Sequence, residues 1–457
     1  MHSPSVSSRS AALYRTLWRW HFYAGLYVIP FIVILSVTGS IFLFKPQIDR
    51  WQERAFQGLS VASAVSPNAQ LDAALAAFPG AQFHSYRLPE RSGDAAMIHL
   101  GLPDGETMQD VFVSPQGQVL GSIDPEARIP IFVSRIHGEL LLGKVGSWLV
   151  ELAACWAIVM ILSGLYLWWP RGRGLAGVVW PRLFFGKRAF WRDIHAVTGF
   201  WVSGFALVLL VSGLPWASVW GNAFKTVRTE MGWVKGKPDW KMGAGSAHAE
   251  HDHSAMMRRQ ASGVPMIALA DMVAKARAEG LPHPVLVKPP GAPERFGAGN
   301  PMAWTIKSES QNRPLNRAIQ IDMASGKEIS RTAFADKLGI DKAISWGIAW
   351  HEGALFGWIS QLIGLMTALA LITMAVSGFV MWRRRKPDGL GAPPVTRTRA
   401  EMRGVVVIAL LLAALLPLLA LSFLALWLVD RFIVPRVPSL GRWMGLRSPD
   451  SEVGSSA

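Results

Sequence analysis

Four histidines stand close to long apolar runs, and they fall into two matched pairs. His21 and His195 each open such a run, while His137 and His351 each stand a few turns before one. Histidine is costly at membrane depth unless it faces a cavity, a partner or a cofactor. Imidazole is an axial ligand of haem iron, so these positions suit one-electron chemistry carried through a bilayer. Zinc fits less well, because no cysteine or clustered carboxylate completes four-coordination. Glu139 and Glu352, beside His137 and His351, keep a metal site on that side open. A second candidate is the tract His248-Ala249-Glu250-His251-Asp252-His253, followed by Met256 and Met257. The imidazoles of His248, His251 and His253 can chelate Cu(II), Ni(II) or Zn(II). They lie in 243–262, which has no apolar period and reads as an insertion, so the tract is at most an accessory site.

The elements that must position these residues are membrane spans. The chain has 457 residues, 51% of them hydrophobic, with a mean hydropathy of +0.27. Crossing about 30 Å of hydrocarbon takes roughly 20 apolar residues. Runs over 22–44, 145–169, 196–216 and 405–429 qualify, as does the run that ends 351–382. The first is longer than a secretory signal core and is expected to remain as an anchor. The net charge of +15 is concentrated in 1–21, 170–195 and 383–404, three short segments on one side. The positive-inside rule puts them in the cytoplasm, which makes a membrane topology, and not nucleic acid, the reason for the charge. The tail, 430–457, then emerges on the opposite side although it carries Arg431, Arg436, Arg442 and Arg447. Cys155 is the single cysteine; an internal disulfide, a four-cysteine iron–sulfur cluster and a C-x-x-C-H haem attachment are excluded.

Two long segments, 45–144 and 217–350, separate the spans on the other side. In the first, a helix over 71–78 ends at Pro79-Gly80; strands follow near 83–88 and 96–100, then a strand–turn–strand over 111–120. The second has the same order: a helix near 267–279, a strand at 302–307 and a strand–turn–strand over 318–329. The repetition extends into the spans. Gly25 and Gly199 lie four residues after His21 and His195, and Thr38-Gly39 and Ser212-Gly213 recur with each glycine eighteen after its histidine. Ser163-Gly164 and Ser377-Gly378 put glycine twenty-seven after His137 and His351, with Trp168 and Trp382 four further on. Each unit is therefore span, outer domain, span, and two units in the same orientation form the core, a parallel repeat. Around a two-fold axis normal to the membrane, equivalent histidines face each other, and each pair can clamp one planar macrocycle. The glycine stripes admit a flat cofactor, but close helix packing is the simpler explanation of the glycines by themselves. Glu151, the one carboxylate inside a core span, can tune a site, carry a proton or hydrogen-bond a neighbouring helix. No G-x-G-x-x-G lies between a strand and a helix, so the chain shows no nucleotide or flavin module of its own.

These features resemble the PepSY-associated transmembrane family of bacterial inner-membrane proteins, over about residues 15–385. The resemblance rests on Trp20-His21-Phe22-Tyr23-Ala24-Gly25, Arg135-Ile136-His137-Gly138-Glu139, Trp191-Arg192-Asp193-Ile194-His195 and Trp350-His351-Glu352-Gly353, with the two helix-then-strands segments. It implies a mainly α-helical membrane protein with a four-helix core and two α+β PepSY-like periplasmic domains; the fifth C-terminal span, 405–429, lies outside that core and is a departure from the family. It further implies two b-type haems, one held by His21 with His195 and the other by His137 with His351. The function implied is reduction of a ferric siderophore or other ferric chelate, with electrons from a cytoplasmic reductase or quinol. A non-redox membrane anchor with binding domains, and a copper-handling factor using the histidine-rich tract, remain as alternatives.

Overall fold

The computed structural model describes residues 6–170, 176–234, 266–292, 300–385, 390–392 and 402–444. The histidine-rich tract with His248, His251 and His253 lies outside the described residues, as does the whole of the 243–262 insertion that carries it. The described chain divides into a helical unit (1–40, 137–225 and 363–457) and a second unit (41–136 and 226–362).

The helical unit is built on α1 (Val6–Leu43) and on the long helices that enter it from later in the chain. In chain order, α2 is Lys45–Gln52, α3 Pro67–Ala77, α4 Ile129–Glu139, α5 Gly143–Trp168, α6 Lys187–Gly213 and α7 Ser218–Glu230. Then come α8 (Leu269–Ala278), α9 (Gly339–His351), α10 (Trp358–Arg384), α11 (Arg403–Leu415), α12 (Pro417–Leu428) and α13 (Pro438–Trp443). Among the described residues five helices are long and apolar enough to cross a membrane: Ala11–Leu43, Gly143–Trp168, Lys187–Trp216, Trp358–Arg384 and Pro417–Arg436. Their burial pattern is that of a protein dissolved in lipid. Val37, Val208, Val211, Met366, Leu369 and Val376 are exposed, whereas Thr38, Ser147, Ser163, Ser203, Thr367 and Ser377 are buried. In hydrocarbon, helices gain little by hiding leucine and associate through small and hydroxyl-bearing residues. The chain is a multi-pass membrane protein.

The first four spans agree with expectation to within a few residues at most ends, although the first and third begin about ten residues earlier. The fifth differs. The expected continuous run over 405–429 is broken at Leu416, whose φ of −127° and ψ of 88° lie outside the helical region. Proline has no N–H and its ring crowds the preceding residue out of the α conformation, so Pro417 ends α11 and starts α12.

In the second unit, β1 (Gln82–Arg87), β2 (Ala96–Gly101), β3 (Met108–Val113) and β4 (Val119–Ile123) form an antiparallel half-sheet. The strands β5 (Val285–Lys288), β6 (Ala303–Ser308), β7 (Arg317–Asp322) and β8 (Glu328–Ala333) form the other half. The two expected α+β segments join edge to edge through β1 and β5, where Tyr86 pairs with Val287 and Arg87 with Leu286. The result is one eight-stranded sheet of order β4-β3-β2-β1-β5-β6-β7-β8. One apolar core crosses the seam: Ile98, Leu100 and Val111 from the first half, Val287, Ile306 and Ile319 from the second, with Ala74 of α3 and Val273 of α8 over them. The opposite face of the first half carries a buried ion cluster. Arg128 bonds Asp110 at 2.7 Å and Glu53 at 2.8 Å, and Glu53 also takes Arg87 at 2.6 Å.

Candidate functional site

Three of the four histidines share one local arrangement, in which a hydroxyl of another helix meets the ring at Nδ1. His21 of α1 places Nδ1 3.1 Å from Ser163 Oγ of α5. His195 of α6 places Nδ1 3.1 Å from Ser377 Oγ of α10 and 3.1 Å from the Met374 carbonyl oxygen. His137, near the end of α4, places Nδ1 2.9 Å from Thr38 Oγ1 of α1. Each hydroxyl belongs to a Ser-Gly or Thr-Gly pair, and the glycine makes room for the ring. A Cβ on Gly164 would stand 3.1 Å from His21 Cε1, one on Gly39 3.2 Å from His137 Cε1, and one on Gly378 3.4 Å from His195 Cε1. His351 is the last residue of α9 and half-buried in the second unit, where Glu352 beside it lies 3.6 Å from Arg313.

The hydroxyls fix which ring nitrogen carries the proton. Ser163 donates to the Met160 carbonyl at 3.1 Å, Ser377 to Met374 at 3.0 Å and Thr38 to Ile34 at 2.7 Å. A hydroxyl has one proton. With it committed to the helix's own carbonyl, the oxygen can only accept, so Nδ1 is the donor in all three rings. His195 requires the same tautomer independently, since a carbonyl cannot donate. In His21 and His195, Nε2 is then left as the nitrogen with an available lone pair, the form in which imidazole binds a metal.

His21 and His195 come together, with ring centroids 6.3 Å apart and planes at 86°. Two imidazoles on opposite sides of one metal, each bonded at about 2 Å, have centres about 6 Å apart once the half-rings are added. The spacing and the bare Nε2 atoms fit an axial ligand pair. Among the described residues no group of three or more His, Cys, Asp or Glu is placed to hold a metal ion. Two protein ligands are too few for a tetrahedral zinc site and are the number a haem takes.

Further residues brace this end of the bundle. Asp193, 1% exposed, lies two residues before His195 and takes Arg182 at 2.7 Å and Arg192 at 2.8 Å, pinning the preceding loop to α6. Trp168 stacks on Phe200 with centroids 4.1 Å apart. The repeat-related Trp168 and Trp382 donate their indole N–H to the Val178 and Leu390 carbonyls, at 2.8 and 2.9 Å. Gly25 and Gly199, for which the sequence favours helix packing over a cofactor, face the Met160 and Met374 methyls. Glu151 accepts from the backbone N–H of Val219 at 2.8 Å and Trp220 at 2.9 Å. Of its three sequence-level readings, the hydrogen bond to a neighbouring helix is the one seen: it caps the N-terminus of α7.

Along the sequence the Ser-Gly and Thr-Gly pairs mark the repeat, and Gly39 and Gly213 continue the face of the histidine on their own span. The structure gives three of the four pairs, all but Ser212-Gly213, to a histidine on another helix, and no periodicity along one helix reports that. Compared with known families, residues 18–385 match the model of the PepSY-associated TM region. No curated protein matches the chain.

Proposed function

We infer the function from a plain premise: this chain belongs to the family of the PepSY-associated TM region. On that footing it is a membrane protein that carries electrons across a bilayer through two b-type haems and delivers them to a ferric siderophore or another ferric chelate. The observation that supports this most is the His21–His195 pair, 6.3 Å between ring centres with both Nδ1 atoms held by serine hydroxyls. His21 and His195 would hold one haem, and by the repeat His137 and His351 the other. A bound haem supplies one-electron chemistry at its iron. The protein's part is to keep each imidazole in one tautomer, to fix its rotation through Ser163, Ser377 and Thr38, and to surround it with apolar helix faces. Delivery of one electron to the ferric chelate gives Fe(II), which has a lower charge and is softer, so hard oxygen donors hold it less firmly. The donor side is a cytoplasmic reductase or quinol. The inner membrane of a bacterium, with the N-terminus in the cytoplasm, is the setting the charge pattern favours.

The test is vectorial. The haem-loaded protein is reconstituted in sealed vesicles with reductant on one side and a ferric siderophore with a colorimetric Fe(II) trap on the other. The reading expects Fe(II) to appear only with the wild type and not with His195→Ala. Equal Fe(II) formation by both proteins contradicts it.

A further inference from the structure

The fifth apolar segment ends where it began. The chain leaves α10 and reaches Leu390, whose carbonyl accepts from Trp382 Nε1 at 2.9 Å. More than fifty residues later the Trp443 carbonyl accepts from the N–H of the same Leu390, at 2.9 Å. The Met444 carbonyl accepts from the Tyr23 hydroxyl, two residues after His21. A segment whose two ends meet at one residue has not changed sides.

The path between is a bent pair of helices. α11 has 13 residues, about 20 Å at 1.5 Å per residue, short of a crossing. It stops at Leu416, and the turn is sealed inside the bundle. Leu416 and Leu419 are 4% and 0% exposed against Cys155, Ile158 and Leu214 of the second and third spans. The Leu415 carbonyl, left out of the helical ladder by the break at Leu416, accepts from Trp220 Nε1 at 2.9 Å. Backbone broken at membrane depth is stable only when its polar groups are met in this way. The helix beginning at Pro417 then carries the chain back.

We propose that α11 and α12 form a re-entrant hairpin, and that residues 438–444 are a strap fastened on Tyr23 at the bundle face that carries His21 and His195. Charge supports this independently. A return places Arg431 and Arg436 on the side of Arg383, Arg384 and Arg385, and removes the conflict with the positive-inside rule that a simple crossing creates.

Single-cysteine labelling with a membrane-impermeant maleimide tests the hairpin in sealed vesicles of either orientation, on the full chain. Ser439→Cys lies on the exposed strap, Arg188→Cys in the exposed first turn of α6, at the end of span three that joins it to span two, and Asp72→Cys in the segment between spans one and two. Cys155 is buried, and the chain with no added cysteine gives the background. Ser439→Cys should label in the orientation in which Arg188→Cys labels, and at least tenfold more slowly in the other. Labelling in step with Asp72→Cys overturns the hairpin. For the strap, Tyr23→Phe should speed labelling of the half-buried Leu440→Cys several-fold; an unchanged rate overturns it.

Discussion

A hydroxyl whose proton is already committed can only accept, and that rule orders the three resolved histidines. Ser377→Ala removes one of two acceptors from His195 Nδ1 and should leave haem bound but less electron-rich. A neutral hydrogen bond of about 1 kcal/mol corresponds to a rise in midpoint potential of up to about 40 mV for one electron. Redox titration reads it, and a potential that stays or falls speaks against the role. Close approach gives a sharper contrast between two glycines. Gly164→Val must push into the His21 ring, because even the Cβ stands 3.1 Å from Cε1. Gly25→Ala meets only the Met160 methyl, at 3.7 Å. The first should lose the haem that His21→Ala loses, and the second should keep both; matching spectra for the two variants would count against the placement. The histidines themselves were legible in the sequence because rare polar residues at matched offsets stand out in apolar runs. Their partners were not, because the contact joins helices more than a hundred residues apart.

At the scale of elements, a buried carboxylate acts as a cap. Glu151 is 2% exposed and satisfies two N–H groups that open α7. Loss of such a cap costs about 0.5–2 kcal/mol. Glu151→Ala should therefore lower the thermal midpoint in detergent clearly, and Glu151→Gln, which keeps an acceptor, by less than half as much. Equal losses would indicate that charge, not capping, is what matters. Helices and strands with strong periodicity were readable: the α3 and α8 helices and seven of the eight strands lie where alternation and Pro-Gly turns put them. β5 was not, since four residues between Pro284 and Pro289 show no alternation. The break at Leu416 did have a signal. Pro417 sits in the middle of the fifth run, but apolar length outweighed it.

For the whole molecule, the eight-stranded sheet depends on a seam of only two residue pairs, supported by a core common to both halves. Pairing between distant strands leaves no trace in local pattern, so two similar segments looked like two domains. The ion cluster in this unit gives the molecule an acid limit. Burial alone would raise Asp110, but the hydrogen bond and charge of His99, with the Arg128 guanidinium, outweigh it and hold the carboxyl below its ordinary range. A carboxylate depressed in the folded state stabilises above its unfolded pKa of about 3.9. Its contribution is lost as pH falls from there through the folded value. Asp110→Asn should be less stable than wild type at pH 7, and the gap should close below about pH 4. A gap that widens with acid would reverse the assignment.

The central claim is that histidine pairs hold haem, and the most direct measurement is haem content. The full chain is produced with ample haem, and the pigment is quantified per polypeptide with its reduced-minus-oxidised spectrum. The account predicts two b-type haems in the wild type, and one in both His21→Ala and His195→Ala with the same spectral component missing. A colourless, folded wild-type protein, or His21 and His195 variants that keep both haems, would contradict it.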